Sequence, residues 1–153
     1  MTGPPTASAL DSHLGFWLRL LSNHVSERFR REVEAHGVSV TEWVALRTLF
    51  DGRVTTHQAL IDALGMTKGA ASKVISRLED KGLAARRSAE HDARVQQLAL
   101  TAAGRRLVPR LAALADANDA HFFDLLPTAQ RDALLATLQQ IARTHGLKDL
   151  PLD

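Results

Sequence analysis

Apolar residues recur at steps of three and four along most of this chain and at steps of two in one short stretch. From Leu10, the positions Leu14, Trp17, Leu18, Leu21, Val25, Phe29 and Val33 form one stripe. It predicts a single amphipathic helix over 10–36 that stops at Gly37. About 26 residues of helix reach about 39 Å, more than a small globule needs, so this helix is expected to bridge two lobes or two chains. A second helix carries Trp43, Val44, Leu46, Leu49 and Phe50 from a cap at Thr41 or Ser39 to Asp51-Gly52. A third opens on a capping-box pattern, Thr55 with Gln58, and ends at Gly65. The fourth has Thr67 as its cap and runs to Lys81, where Gly82 stops it.

The period then changes. Gln96, Leu98 and Leu100 alternate with Gln97 and Ala99 as a half-buried strand does, with Leu83–Arg87 as antiparallel partner and 88–94 as a polar, charged tip. Thr101 caps a fifth helix with the stripe Leu107, Leu111, Leu114, His121, Phe122 and Leu125; Pro109 inside it predicts a bend. Pro127 precedes a last helix with Leu134, Leu135, Leu138 and Ile141 that ends at Gly146. Leu147, Leu150 and Leu152 make the C-terminal tail apolar and are expected to pack on a partner subunit, whereas residues 1–9, with Pro4 and Pro5, read as a flexible tail.

Composition narrows the classes open to the chain. At 153 residues, 45% hydrophobic and 24% charged, it is an ordinary globular sequence, too short for an elaborate enzyme barrel. It has no cysteine, which removes disulfides, thiolate metal sites, cysteine nucleophiles and thiol redox sensing together. No apolar run is long enough to span a membrane and the N-terminus lacks a secretory pattern, so the expected location is cytoplasmic.

The net charge of +2 conceals an uneven distribution. Residues 66–110 hold ten basic and four acidic side chains, while the rest of the chain holds nine basic and thirteen acidic ones. A basic segment on an acidic body points to a polyanion, with a solvated basic surface as the bland alternative. The fourth helix lies inside this segment. Ala71, Val74, Ile75 and Leu78 converge on one side of it; Gly69, Ser72, Lys73 and Ser76 lie on the other, flanked by Lys68 and Arg77. A short helix, a glycine turn, a second helix with small polar residues outward and then a basic hairpin make the plan of a winged helix-turn-helix. Gly69, Ala70 and Ser72 leave the start of the helix slim enough for a major groove about 12 Å wide, with Thr67 and Ser76 as further DNA-binding positions. Lys68, Lys73 and Arg77 then reach phosphates or guanine edges, and the free N–H groups of the helix start face phosphate.

The run from Met66 to Leu83, with Asp92-Ala93-Arg94 and Leu100-Thr101-Ala102-Ala103-Gly104-Arg105, resembles the MarR family of transcriptional regulators over nearly the whole chain, from about Leu10 to Gly146. The resemblance implies a mainly α fold with a small β-hairpin wing. A winged helix-turn-helix lobe, 39–101, would carry an intertwined helical dimerisation region made of 10–36 and 102–146. It implies that Arg94 enters the minor groove from the wing, where a narrow groove concentrates negative potential, and that Asp92 holds the wing in shape. Many members have a second arginine where this chain has Ala93, which leaves Arg86, Arg87 and His91 to add phosphate contacts. It further implies a homodimer on a pseudo-palindrome of double-stranded DNA, and a small aromatic or phenolic effector in a crevice between the two regions. By position, Phe16, Trp17 and Trp43 would supply the crevice's rings and Arg47 would hold a carboxylate, although aromatic residues at helical spacing are also ordinary core residues.

Other chemistries find little support. The seven histidines show no metal-ligand spacing, Glu90-His91-Asp92 has no nucleophile beside it, and no phosphate-binding glycine loop occurs, so neither a cofactor nor a catalytic residue is expected. A single-strand RNA reader would need exposed stacking rings, and no aromatic residue lies between Asp51 and His121. A nonspecific or architectural nucleic-acid-binding helical dimer stays open as an alternative.

Overall fold

A computed structural model describes residues 2–89 and 91–152; Glu90, placed at the wing tip by the sequence, lies outside the described residues, as do the side chains of Ala89 and Ala93. Six α-helices and one hairpin follow in the order α1 (Leu14–Glu34), α2 (Val40–Phe50), α3 (His57–Leu64), α4 (Lys68–Asp80), β1 (Ala84–Ala89), β2 (Asp92–Leu100), α5 (Ala102–Phe123) and α6 (Thr128–Thr144). A mainly helical winged helix-turn-helix results.

Local chemistry accounts for most element boundaries. Ser39, Thr67 and Thr101 each accept a hydrogen bond from the backbone N–H three residues on, at 3.1–3.2 Å. The third helix departs from its expected cap. Thr56, not Thr55, accepts from the N–H of Ala59, because the carbonyl of Thr55 is taken by the N–H of Leu98 at 2.7 Å and Thr56 bridges to Gln97 as a fragment of a third strand. Gln58, released from capping, donates to Asp62. Gly82 closes α4: its φ of +69° lets its own N–H reach Glu79 and that of Leu83 reach Leu78, while both leucines are buried. Gly82→Ala is therefore expected to lower stability by about 1 kcal/mol, the cost of a left-handed non-glycine residue, read as a shift of the urea midpoint at unchanged slope.

The core joins the end of α1, the three helices α2, α3 and α4, the hairpin and the first half of α5, through Val33, Leu46, Leu49, Leu60, Leu64, Ile75, Leu78, Leu98, Val108 and Leu111. At about 2 kcal/mol for each buried aliphatic side chain, this cluster holds the helix-turn-helix and its wing as one unit. Strands β1 and β2 pair antiparallel from Ala84↔Leu100 to Ser88↔Gln96, and then, past an irregularity, Ala89↔Asp92. The wing is thus paired further out than the polar tip over 88–94 suggested.

The outer helices differ from this core. No residue of α6 is buried, and in α1 only Val33 is. Leu14, Trp17, Leu18 and Leu21 on α1 and Leu134, Leu135, Leu138 and Ile141 on α6 are all exposed. The first predicted helix is also shorter than its stripe: a 3-10 turn (Leu10–Ser12) precedes it and His13 is extended, with the Trp17 indole donating to the carbonyl of Asp11 at 2.8 Å. Pro109 lies inside α5 without ending it, where it removes only the N–H that would have reached Arg105. The apolar tail behaves differently from expectation at its end. Leu152 packs on the core of its own chain, and the Thr41 hydroxyl donates to its carbonyl at 3.0 Å; Leu147 and Leu150 stay exposed. No helix among the described residues is long and apolar enough to cross a membrane.

Candidate nucleic-acid interface

Helix α4 presents two unlike faces. Ala71, Val74, Ile75 and Leu78 are buried, and Thr67, Lys68, Gly69, Lys73 and Arg77 are exposed, with Ala70, Ser72 and Ser76 intermediate at the edge. A Cβ built on Gly69 would meet nothing within 4 Å, so packing within the chain does not require the glycine; its effect is to keep this end of the helix thin. Lys68, Lys73 and Arg77 have no carboxylate partner among the described residues. Three uncompensated cations beside the free N–H groups of a helix start make an anion-attracting strip.

The wing extends that strip. Arg94 is the most exposed of the ion-paired arginines, with 92% of its side chain open to solvent, and its backbone N–H and Nε both donate to Oδ1 of Asp92, at 2.9 and 3.2 Å. Asp92 thus fixes the start of β2 and aims the arginine stem together. Arg87 and His91 are exposed. Arg86 is not free for the phosphate contact expected of it. Its Nε lies 2.6 Å from Oε1 of Glu79 in a half-buried ion pair, which braces the hairpin against the second half of α4. On α5, Arg105, Arg106 and Arg110 carry the positive surface onward.

Behind α4 sits a residue that the sequence reading did not single out. His57, the first residue of α3, is half-buried with Nε2 3.4 Å from the hydroxyl of Ser72. Burial first, then the charges of Arg86 and Lys68, push its imidazole below the ordinary histidine range. Placing the cap at Thr55 hid it, since with Thr56 as cap His57 falls on the open end of α3 beside α4.

The other concave feature is a crevice of about 770 Å³ between α1, α2 and α5, bordered by Phe29, Arg30, Trp43, Asn118 and the tail residues Pro151 and Leu152. Of the four residues expected there only Trp43 lines it, edge-on to Phe29 at 6.4 Å. Phe16 and Trp17 pack on one another nearer the start of α1, before the lining begins at Ser22, and belong to that helix's exposed stripe. Arg47 turns away to Asp51 at 3.1 Å and lies over the ring of Phe50. The crevice cation is Arg30 instead, held by Glu27 and Glu34, whose hydrogen bonds raise its pKa while Glu27, chiefly through the same bond, is held below the usual carboxylate range. Buried Asn118 joins α5 to α1 by accepting from Arg28 and donating to the carbonyl of Val25. No group of three histidine or carboxylate side chains that could hold a metal ion occurs among the described residues.

Comparison with known proteins gives one family match and several fold matches. The sequence model described as MarR family matches residues 36–95, a span that holds α2, α3, α4, β1 and the start of β2. Over that span the winged helix is similar to the MarR family. Solved structures extend the likeness beyond that span. A Rhodococcus jostii RHA1 protein, CouR bound to p-coumaroyl-CoA, superposes with a TM-score of 0.72 at 23% identity, covering 89% of this chain and 96% of that one. A DNA complex of MepR from S. aureus gives 0.73 at 20% identity over 86% and 98%, and a probable transcriptional regulator from Pseudomonas aeruginosa gives 0.73 at 24% over 87% and 99%. At these identities they show a shared fold, which includes the helices outside the MarR-matched span. No curated protein matches the chain by sequence.

Proposed function

We propose that the protein is a cytoplasmic, sequence-specific regulator of transcription that binds double-stranded DNA as a homodimer on a pseudo-palindromic operator, a repressor whose grip is modulated by a small aromatic or phenolic effector. One observation carries the reading: a capped helix whose open face shows Lys68, Lys73 and Arg77 without carboxylate partners, set beside a wing that holds out Arg94. Residues 39–101 would read the DNA; 10–36 and 102–146 would form the dimer. Support for two copies comes from the exposed apolar stripes on α1 and α6, surfaces that one chain leaves in water. Two recognition helices about 34 Å apart would then enter successive major grooves. A dimer seated on a promoter blocks it by bulk alone, which makes repression the simplest output. This activity needs no cofactor and no catalytic group.

The effector part rests on the crevice, whose Trp43 and Phe29 offer ring faces between the outer helices and the helix-turn-helix, and on the ligand named for CouR, a coenzyme A thioester of a phenolic acid. A ligand that fits one spacing of the recognition helices better than another shifts the equilibrium by that difference in affinity.

Arg94→Ala is expected to weaken binding to a selected operator by about 1–3 kcal/mol, and Lys73→Ala by a similar amount, measured by fluorescence anisotropy. Loss at Lys73 without loss at Arg94 would mean that the wing stays off the DNA.

A further inference from the structure

A cluster at the root of the interface ties its charge to pH. His57 opens α3; Ser72 reaches its Nε2 from α4 at 3.4 Å, and Lys68 from α4 and Arg86 from β1 are the charges that act on it. Of the carboxylates on the elements packed around α3, all but Asp80, exposed at the far end of α4, are already engaged. Glu79 of α4 is held by Arg86, Glu42 of α2 by Lys81, Asp51 after α2 by Arg47, and Asp92 of β2 by Arg94, while Asp62 of α3 itself accepts from Gln58. No anion in this surround favours an imidazolium, and two cations oppose one.

Duplex DNA reverses that balance. Phosphate arriving at the start of α4 meets Lys68 and the helix N-terminus, and His57 lies directly behind, on the start of the neighbouring helix. From this juxtaposition we propose that binding of duplex DNA takes up one proton at His57, which makes the grip on DNA stronger as pH falls. The proposal rests on the DNA-binding reading above and deepens it: His57 acts as a positioning residue that, once charged, holds Ser72 and adjoining phosphate. The proton moves from solvent to the vacant ring nitrogen and returns when the DNA leaves. A single proton changes an equilibrium by at most tenfold per pH unit.

The test is an anisotropy titration of one selected duplex at constant salt, at about pH 7.5 and about pH 6, the window in which imidazoles titrate. The parent protein, His57→Gln and His36→Gln are compared, His36 being an exposed histidine after α1, away from the start of α4 and from the wing. The parent and His36→Gln are expected to bind about three- to tenfold more tightly at the lower pH, and His57→Gln to lose that gain while still binding at the higher pH. A pH-independent parent, or a His57→Gln protein with the full gain, overturns the proposal and leaves the DNA reading standing. No duplex binding at either pH would sink the DNA reading itself. Should His57→Gln fold poorly, the imidazole C–H resonance of His57 in the parent decides. It is expected to report a neutral ring in the free protein near neutral pH and a protonated one in the complex; an unchanged ring would overturn the proposal.

Discussion

Replacing Lys81 by methionine is expected to lower the unfolding free energy by about 3 kcal/mol. Glu42, 4% exposed at the start of α2, has its two carboxylate oxygens 2.6 and 3.0 Å from Nζ of Lys81, which also donates to the carbonyl of Gly37 at 2.8 Å. With the ammonium gone, a buried carboxylate has no other partner among the described residues, and its desolvation is uncompensated. The cost sits at the low end for a broken buried pair because Lys81 keeps 38% of its side chain in water, so part of the attraction is already screened. Glu42→Gln should cost less, since the freed ammonium can turn to solvent, and the pair Glu42→Leu with Lys81→Met should recover much of the loss. Thermal unfolding is the readout, with Lys81→Met expected to drop Tm by about 6–12 °C. Equal losses for both single variants and additivity in the double would contradict this account. Since Lys81 caps the end of α4 and Glu42 lies in the first turn of α2, the pair also ties those two helix ends together.

Gly104→Ala is expected to cost at least about 2–3 kcal/mol, the scale of overpacking against a backbone that cannot yield. Gly104 is a helical residue in the first turn of α5, so conformational freedom is not the reason for it. A Cβ built there would overlap the carbonyl oxygen of Leu83 and crowd Leu100. That carbonyl is fixed in place, since it accepts from the N–H of Thr101, whose hydroxyl in turn donates to Gly82. The two chain segments that cross here, the exit of α4 and the exit of the wing, touch backbone to backbone. An alanine would drive them apart, and DNA affinity should fall along with stability as the wing swings away from α4. Chemical denaturation of Gly104→Ala beside Gly69→Ala separates packing from composition, because a Cβ at position 69 meets open space and should leave stability unchanged or raise it by up to about 1 kcal/mol.

What could be read from the sequence was what neighbouring residues decide among themselves. The cap at Thr67, the stop at Gly82 and the division of α4 into a buried Val74–Leu78 side and an open Lys68–Lys73 side each depend on residues within two turns, and the structure has them so. Gly104 was legible as part of a motif, but its cause lies in Leu83, which adjacency along the chain does not reveal. Partners far apart in sequence were out of reach for the same reason. The Lys81–Glu42 pair spans 39 positions and the Arg28–Asn118 contact spans 90. Arg86 looked like one more phosphate contact because only the fold brings Glu79 to it, and the cap at Thr56 depended on a strand contact with Leu98 that no helix rule encodes. The crevice fared worst. Phe16, Trp17 and Arg47 have the right chemistry at the wrong turn of their helices, and Arg30, which the crevice does contain, is flanked in sequence by the acids that occupy it.

The proposal that the basic strip of α4 and the wing read duplex DNA as a two-fold pair is put to equilibrium binding of the protein to a duplex selected from a random pool, alongside a scrambled duplex of the same length, across a salt series. The selected site is expected to have two-fold symmetry and half-sites about one helical turn apart. Its affinity should exceed that of the scrambled duplex by about a thousandfold or more, with log K falling linearly in log salt at a slope of about −0.9 per phosphate neutralised. Equal affinity for both duplexes would leave only a nonspecific, architectural role, and binding without salt dependence would contradict the account altogether.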